Sequence, residues 1–169
     1  MLKTKEAHDF YTKHIYSAGL QRLLRGHDLN IAGSVPPVIW ELFGAILTGD
    51  KGKKGYGSDL KGHEIKSAHD GGGFEYQYHL LGGQKKLTED MSVRHLFISY
   101  SPDYKDVVIR LLPGETLKAK FEAWLPKLVK NYKGSKRMQR FRKSISFGYV
   151  KKNGIKVMEI KDGKIIPLS

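Results

Sequence analysis

Gly57-Ser58-Asp59-Leu60-Lys61-Gly62-His63-Glu64-Ile65-Lys66-Ser67-Ala68 is the stretch on which the fold turns. It follows Gly49-Asp50-Lys51-Gly52-Lys53-Lys54-Gly55-Tyr56, too rich in glycine and lysine to be other than a loop, and a second glycine cluster comes at Gly71-Gly72-Gly73. Between the two clusters, Leu60 to Ala68 reads as a strand. Residues two apart on a strand share a face, so Glu64 and Lys66 emerge together while Ile65 turns into the core. Asp59, at the mouth of the strand, comes within reach of Glu64.

Working outward, Phe74 to Leu81 is a further strand, and Val93 to Tyr100 and Asp106 to Leu112 are apolar enough to be central strands, joined by a turn at Ser101-Pro102-Asp103. Upstream, Tyr11, Ile15, Ala18, Leu20 and Leu24 recur at helical intervals, which predicts one helix from His8 to Leu24 ending at Gly26; Gly26 to Ser34 is loop-like. Pro36-Pro37 opens a second helix whose apolar face runs from Val38 to Leu47, and Gly49 stops it. Thr116 to Tyr132 is a third, in which Pro126 predicts a kink or shift. The end reads as a β-ribbon: Ser144 to Val150, a turn at Lys152-Asn153-Gly154, Ile155 to Ile160, a turn at Lys161-Asp162-Gly163, and Lys164 to Leu168. The expectation is one α/β domain over 1–169, a mixed central β-sheet flanked by helices with a C-terminal β-ribbon.

The 169 residues carry 30 Lys+Arg against 17 Asp+Glu, a formal charge of +13. Residues 1–115 hold 15 basic and 14 acidic side chains, whereas 116–169 hold 15 and 3. Such a cationic third is drawn to polyanions by counterion release, which makes nucleic acid the first partner to consider. An anionic membrane is the weaker alternative, because the basic residues are interleaved with Tyr132, Phe141, Phe147 and Tyr149 rather than set along one amphipathic helix. Lys136, Arg137, Arg140, Arg142 and Lys143 are candidate phosphate contacts, or else a solvated face. The absence of cysteine excludes thiol catalysis and thiolate zinc sites, and no HxH, HxxxH or HExxH spacing suggests a zinc hydrolase. Gly49 to Gly55 lacks the order of a nucleotide-binding loop, so no nucleotide cofactor is expected. With no apolar segment of spanning length and a polar Met1 to Glu6, the chain reads as soluble and cytoplasmic, with no membrane partner.

Two carboxylates and a lysine at one point suit phosphodiester hydrolysis: Asp59 and Glu64 hold Mg²⁺ through hard oxygens, and Lys66 positions the attacking water or helps deprotonate it once metal and burial lower its pKa. A bare Glu-x-Lys is far more often an ordinary ion pair on an exposed strand. Here the preceding Asp59 after a glycine loop, the following Ser67-Ala68 and the cationic balance favour the catalytic reading. Glu41 is either a solvent-facing helix residue or an extra metal ligand, and His63 is assigned to packing or a structural hydrogen bond.

Asp59, Glu64 and Lys66 resemble the motif of the PD-(D/E)xK nuclease superfamily, although Ser58 stands where that family often has proline and the gap between the acids is short. The order of elements, with Phe97-Ile98-Ser99-Tyr100, Leu111 through Trp124 and Ser146-Phe147-Gly148-Tyr149-Val150, is similar to small blunt-cutting type II restriction endonucleases. The resemblance implies a restriction-endonuclease-like core at 56–132, a basic DNA-binding part at 133–169, and helices at 8–48 that pair two copies through Tyr11, Ile15 and their neighbours. It implies the Ile65 carbonyl as a further metal ligand, and cleavage of double-stranded DNA at a short palindromic sequence by a homodimer. It also implies that Gln77, Tyr78 and His79 enter the major groove, where Gln can pair with adenine and His can bond guanine. A junction resolvase or repair nickase of the same superfamily, and a non-catalytic nucleic-acid-binding protein, remain open.

Overall fold

The computed structural model describes residues 1–29, 35–55, 57–133 and 139–168, so Tyr56 of the glycine loop, most of the loop ahead of Pro36, and Lys136 and Arg137 lie outside the described residues. A five-stranded mixed sheet runs in the order β1 (His63–His69), β3 (Arg94–Tyr100), β4 (Val107–Pro113), β6 (Ile155–Lys161), β7 (Lys164–Ile165). β3 is buried on both faces, which is why it reads as an almost unbroken apolar run. It lies parallel to β1, with Glu64 opposite His95 and Lys66 opposite Phe97, and antiparallel to β4. A parallel pair needs a crossover. Here it consists of β2 (Phe74–His79) and α4 (Gly83–Asp90).

One face of the sheet is covered by α1 (Thr4–His14) and α3 (Pro37–Thr48): Tyr11, Trp40, Phe43 and Leu47 pack with Ile65, Leu96, Ile98 and Ile109. Gly44 lets α3 close on β1, since a Cβ there would stand 2.6 Å from Ile65 Cδ1. Against the other face, α5 (Gly114–Lys133) brings Leu117 and Phe121 to Phe97 and Leu112, joined by Phe74, Tyr76 and Tyr78 of β2 and Leu87 of α4. No helix among the described residues is long and apolar enough to cross a membrane.

The architecture is the expected α/β arrangement with a mixed sheet, and three local expectations are corrected. The N-terminal helix is two: α1 ends at His14, and Ser17 caps α2 (Ala18–Gly26), its side chain accepting from the Leu20 amide at 3.2 Å. Tyr11 is fully buried and donates its hydroxyl to the Tyr104 carbonyl at 2.6 Å, so it belongs to the core and not to a dimer surface. Finally, Ser146 to Gly154 is not ribbon: Ser146 caps α6 (Phe147–Asn153) by accepting from the Tyr149 amide, and Val150 is buried. The basic end of the chain is built into the rest, since β5 (Arg140–Ile145) pairs with β2 and β6 pairs with β4. The Asp162-Gly163 turn is as expected, both residues having positive φ (52° and 74°) between β6 and β7.

Candidate functional site

β1 is the terminal strand of its sheet, and its open edge meets the loop that carries Asp59. The Ile65 amide donates to Asp59 Oδ2 at 2.9 Å, and the Asp59 amide donates to Glu64 Oε2 at 3.1 Å. A strand residue's N–H and C=O leave the backbone on the same side, so the Ile65 carbonyl also faces this edge. The loop is tied down behind the site. Asp50 accepts from the Gly62 amide at 2.7 Å and pairs with His63 Nδ1 at 3.0 Å, the structural role expected of His63, while Lys53 pairs with Glu89 of α4.

Glu64 has no solvent exposure, and its Oε1 accepts from two ammoniums at 2.7 Å each, Lys66 from its own strand and Lys86 from α4. Lys86 also reaches Asp90 Oδ1 at 3.1 Å, and the Tyr78 hydroxyl donates to Asp90 Oδ2 at 2.9 Å. Deeper still, His95 Nε2 lies 2.7 Å from the Asp90 carbonyl and His95 Nδ1 lies 2.8 Å from the Tyr76 hydroxyl. A carbonyl only accepts, so Nε2 carries the proton and Nδ1 accepts from Tyr76. Lys66 Nζ sits 4.9 Å from the centre of the Tyr76 ring, which adds a cation–π contact. Lys86, Asp90, Tyr76 and His95 escaped the sequence reading. The Lys86/Asp90 spacing of four is informative only once α4 is known to be a helix, and Tyr76 and His95 carry no motif.

The charges follow from this wiring. Burial, then the Glu64 charge, pushes the Asp59 carboxyl up to about 6. Burial alone would also raise Glu64, but the ammoniums of Lys66 and Lys86 outweigh it and hold that carboxyl well below its usual range. Asp90 is pushed upward by burial and then by the Glu64 charge. Burial drives His95 down to about 4, so it is neutral. Burial would lower Lys66, yet the Glu64 charge, followed by that of Asp59, raises it. Lys66 is therefore a firmly held ammonium, suited in this charge state to orienting a group rather than removing a proton.

A cleft of about 300 Å³ opens beside Asp59, Ile65 and Lys66, with Glu41, Glu75 and Gln77 also on its walls. Glu41 thus shares the cleft with Asp59, while Glu64 lies buried behind it. The cleft is flanked by the antiparallel pair β2–β5, on whose outer face Gln77 stands opposite Arg142 and His79 opposite Arg140. Arg140 donates to Gln77 Oε1 at 3.2 Å, and Arg142 reaches Glu75 at 4.0 Å. Lys143 alternates to the inner side, its ammonium 5.4 Å from the Phe141 ring centre. Tyr78 is corrected: it is fully buried, aimed at Asp90, and does not face a groove.

Carboxylates of Asp59 and Glu64 with the edge-facing Ile65 carbonyl are hard oxygen donors of the kind Mg²⁺ takes, so the residues present suit that ion chemically. No cluster of three or more His, Asp or Glu side chains among the described residues forms a metal site. No family model and no curated protein matches the chain.

Proposed function

We propose that this chain is a Mg²⁺-dependent endonuclease of the PD-(D/E)xK kind that hydrolyses phosphodiester bonds in double-stranded DNA at a specific short sequence, as type II restriction enzymes do. The observation that carries the reading is the closure of Asp59, Glu64 and Lys66 into one hydrogen-bonded unit, with Asp59 and Lys66 on the wall of a cleft and Glu64 buried behind them. Beside it runs a two-stranded ribbon with Gln77, His79, Arg140 and Arg142 outward, and the major groove admits such a ribbon.

In this account Arg140 and Arg142 bind phosphates and set the register, while Gln77 and His79 meet base edges. Asp59, Glu64 and the Ile65 carbonyl would hold Mg²⁺, which supplies charge neutralisation at phosphate and an acidified water. The Lys66 ammonium donates to a phosphate oxygen or to the attacking water and so fixes the line of approach. Glu64 stays ionised through its lysine contacts, and Asp59 is ionised at neutral pH. One site cuts one strand, so two copies on a palindrome cut both.

The test is plasmid DNA incubated with pure protein and Mg²⁺, with a chelator control. The expected result is a discrete, reproducible set of fragments that the chelator abolishes. Cleavage of branched substrates alone would instead indicate a shape-reading resolvase, and retardation without cutting a non-catalytic binder.

A further inference from the structure

We propose that Lys86 is a positioning residue that serves as an internal counter-ion to Glu64, occupying that carboxylate until a divalent cation takes it and then remaining on Asp90. The inference rests on the metal reading above and concerns a residue outside the motif. Lys86 comes from a different element than Glu64 and divides its ammonium between Glu64 Oε1 at 2.7 Å and Asp90 Oδ1 at 3.1 Å. Asp90 is fixed from both ends, its carboxylate by Tyr78 and its carbonyl by His95, whereas Lys86 is a flexible four-carbon stem whose side chain is 17% exposed. The pair lies four residues apart on α4, so letting go of Glu64 leaves Lys86 on a partner already in reach. Three carboxyl groups, those of Asp59, Glu64 and Asp90, thus stand against the two ammoniums of Lys66 and Lys86.

The consequence is a pair of opposite effects that a merely structural role would not produce. Lys86→Met removes the competitor and makes the cluster more negative; Asp90→Asn removes the alternative partner and makes it less so. Calorimetric titration of the full chain with Ca²⁺ at pH 8, with circular dichroism to check folding, reads both. Expected are Ca²⁺ binding tightened on the order of tenfold in Lys86→Met, weakened by a similar factor in Asp90→Asn, and near wild type in the double variant. Wild-type binding with unchanged or weaker affinity in a folded Lys86→Met overturns the inference alone. Should Lys86→Met not fold, Asp90→Asn decides, and unchanged or tighter binding there overturns it equally. Absence of Ca²⁺ binding in the wild type overturns the metal reading and this inference with it.

Discussion

The backbone amide of Asp59 donates to Glu64 Oε2 at 3.1 Å, so the loop acid and the strand acid are joined directly across the mouth of β1. The Ile65 amide returns the connection to Asp59 Oδ2 at 2.9 Å. Two opposed hydrogen bonds tie the two acids together, and burial, followed by repulsion from Glu64, raises the Asp59 carboxyl.

The raised Asp59 carboxyl has a pH signature. The folded value for Asp59, about 6, lies above the roughly 3.9 of an unfolded chain. Between those values the folded state binds more protons, so this group's contribution falls as pH rises from about 4 to about 6 and stays low above that. Asp59→Asn keeps an acceptor for Ile65 and removes the charge. It is expected to melt higher than wild type at pH 7.5, by on the order of 1–2 kcal/mol, with the difference closing near pH 4. Thermal melts at the two pH values check this; an Asp59→Asn chain less stable than wild type at pH 7.5 contradicts it.

Glu64 behaves oppositely. Glu64→Gln preserves shape but leaves the ammoniums of Lys66 and Lys86, only 16% and 17% exposed, facing a neutral amide. Loss of about 3 kcal/mol is expected in urea unfolding, as when one partner of a buried pair is removed. A change below about 0.5 kcal/mol would mean that the lysines do not depend on Glu64.

The ribbon predicts a division of labour. Arg142→Ala should weaken DNA binding about equally for all sequences and flatten the salt dependence by roughly one phosphate contact, whereas Gln77→Ala should change which sequence is preferred, by about 1–3 kcal/mol at one base pair. Binding isotherms on a target and a scrambled duplex across salt separate the two. Equal, sequence-blind losses in both variants argue against base reading by Gln77.

Much of this was legible in the sequence where local signals and tertiary packing agree. Pro37 and the αL Gly49 (φ 71°) bracket α3, the apolar run of β3 reflects burial on both faces, and that of β4 fits a strand buried at Val107, Ile109 and Leu112 and half-buried at Val108 and Leu111. α4 was not legible, because Gln84 to Asp90 presents one leucine to the core and its start depends on the left-handed Gly82 (φ 81°). Lys86 and Asp90 were hidden with it. α6 was misread because Phe147, Tyr149 and Val150 favour strands, and the capping hydrogen bond of Ser146 decides otherwise. Tyr78 was misassigned for a different reason: alternation along β2 puts it with Phe74 and Tyr76, on the face opposite Gln77 and His79. The partnership of β2 with β5, which brings Arg140 and Arg142 beside Gln77, spans too much chain for any local signal.

The central claim stands on Lys66, whose ammonium lies 2.7 Å from Glu64 on the cleft wall. Cleavage of a target duplex in Mg²⁺ and its specific binding in Ca²⁺, measured side by side for wild type and Lys66→Ala, test it most directly. The account predicts that the variant loses cleavage by roughly 10²-fold or more while binding stays within a few fold. A Lys66→Ala chain that cuts at the wild-type rate would contradict it.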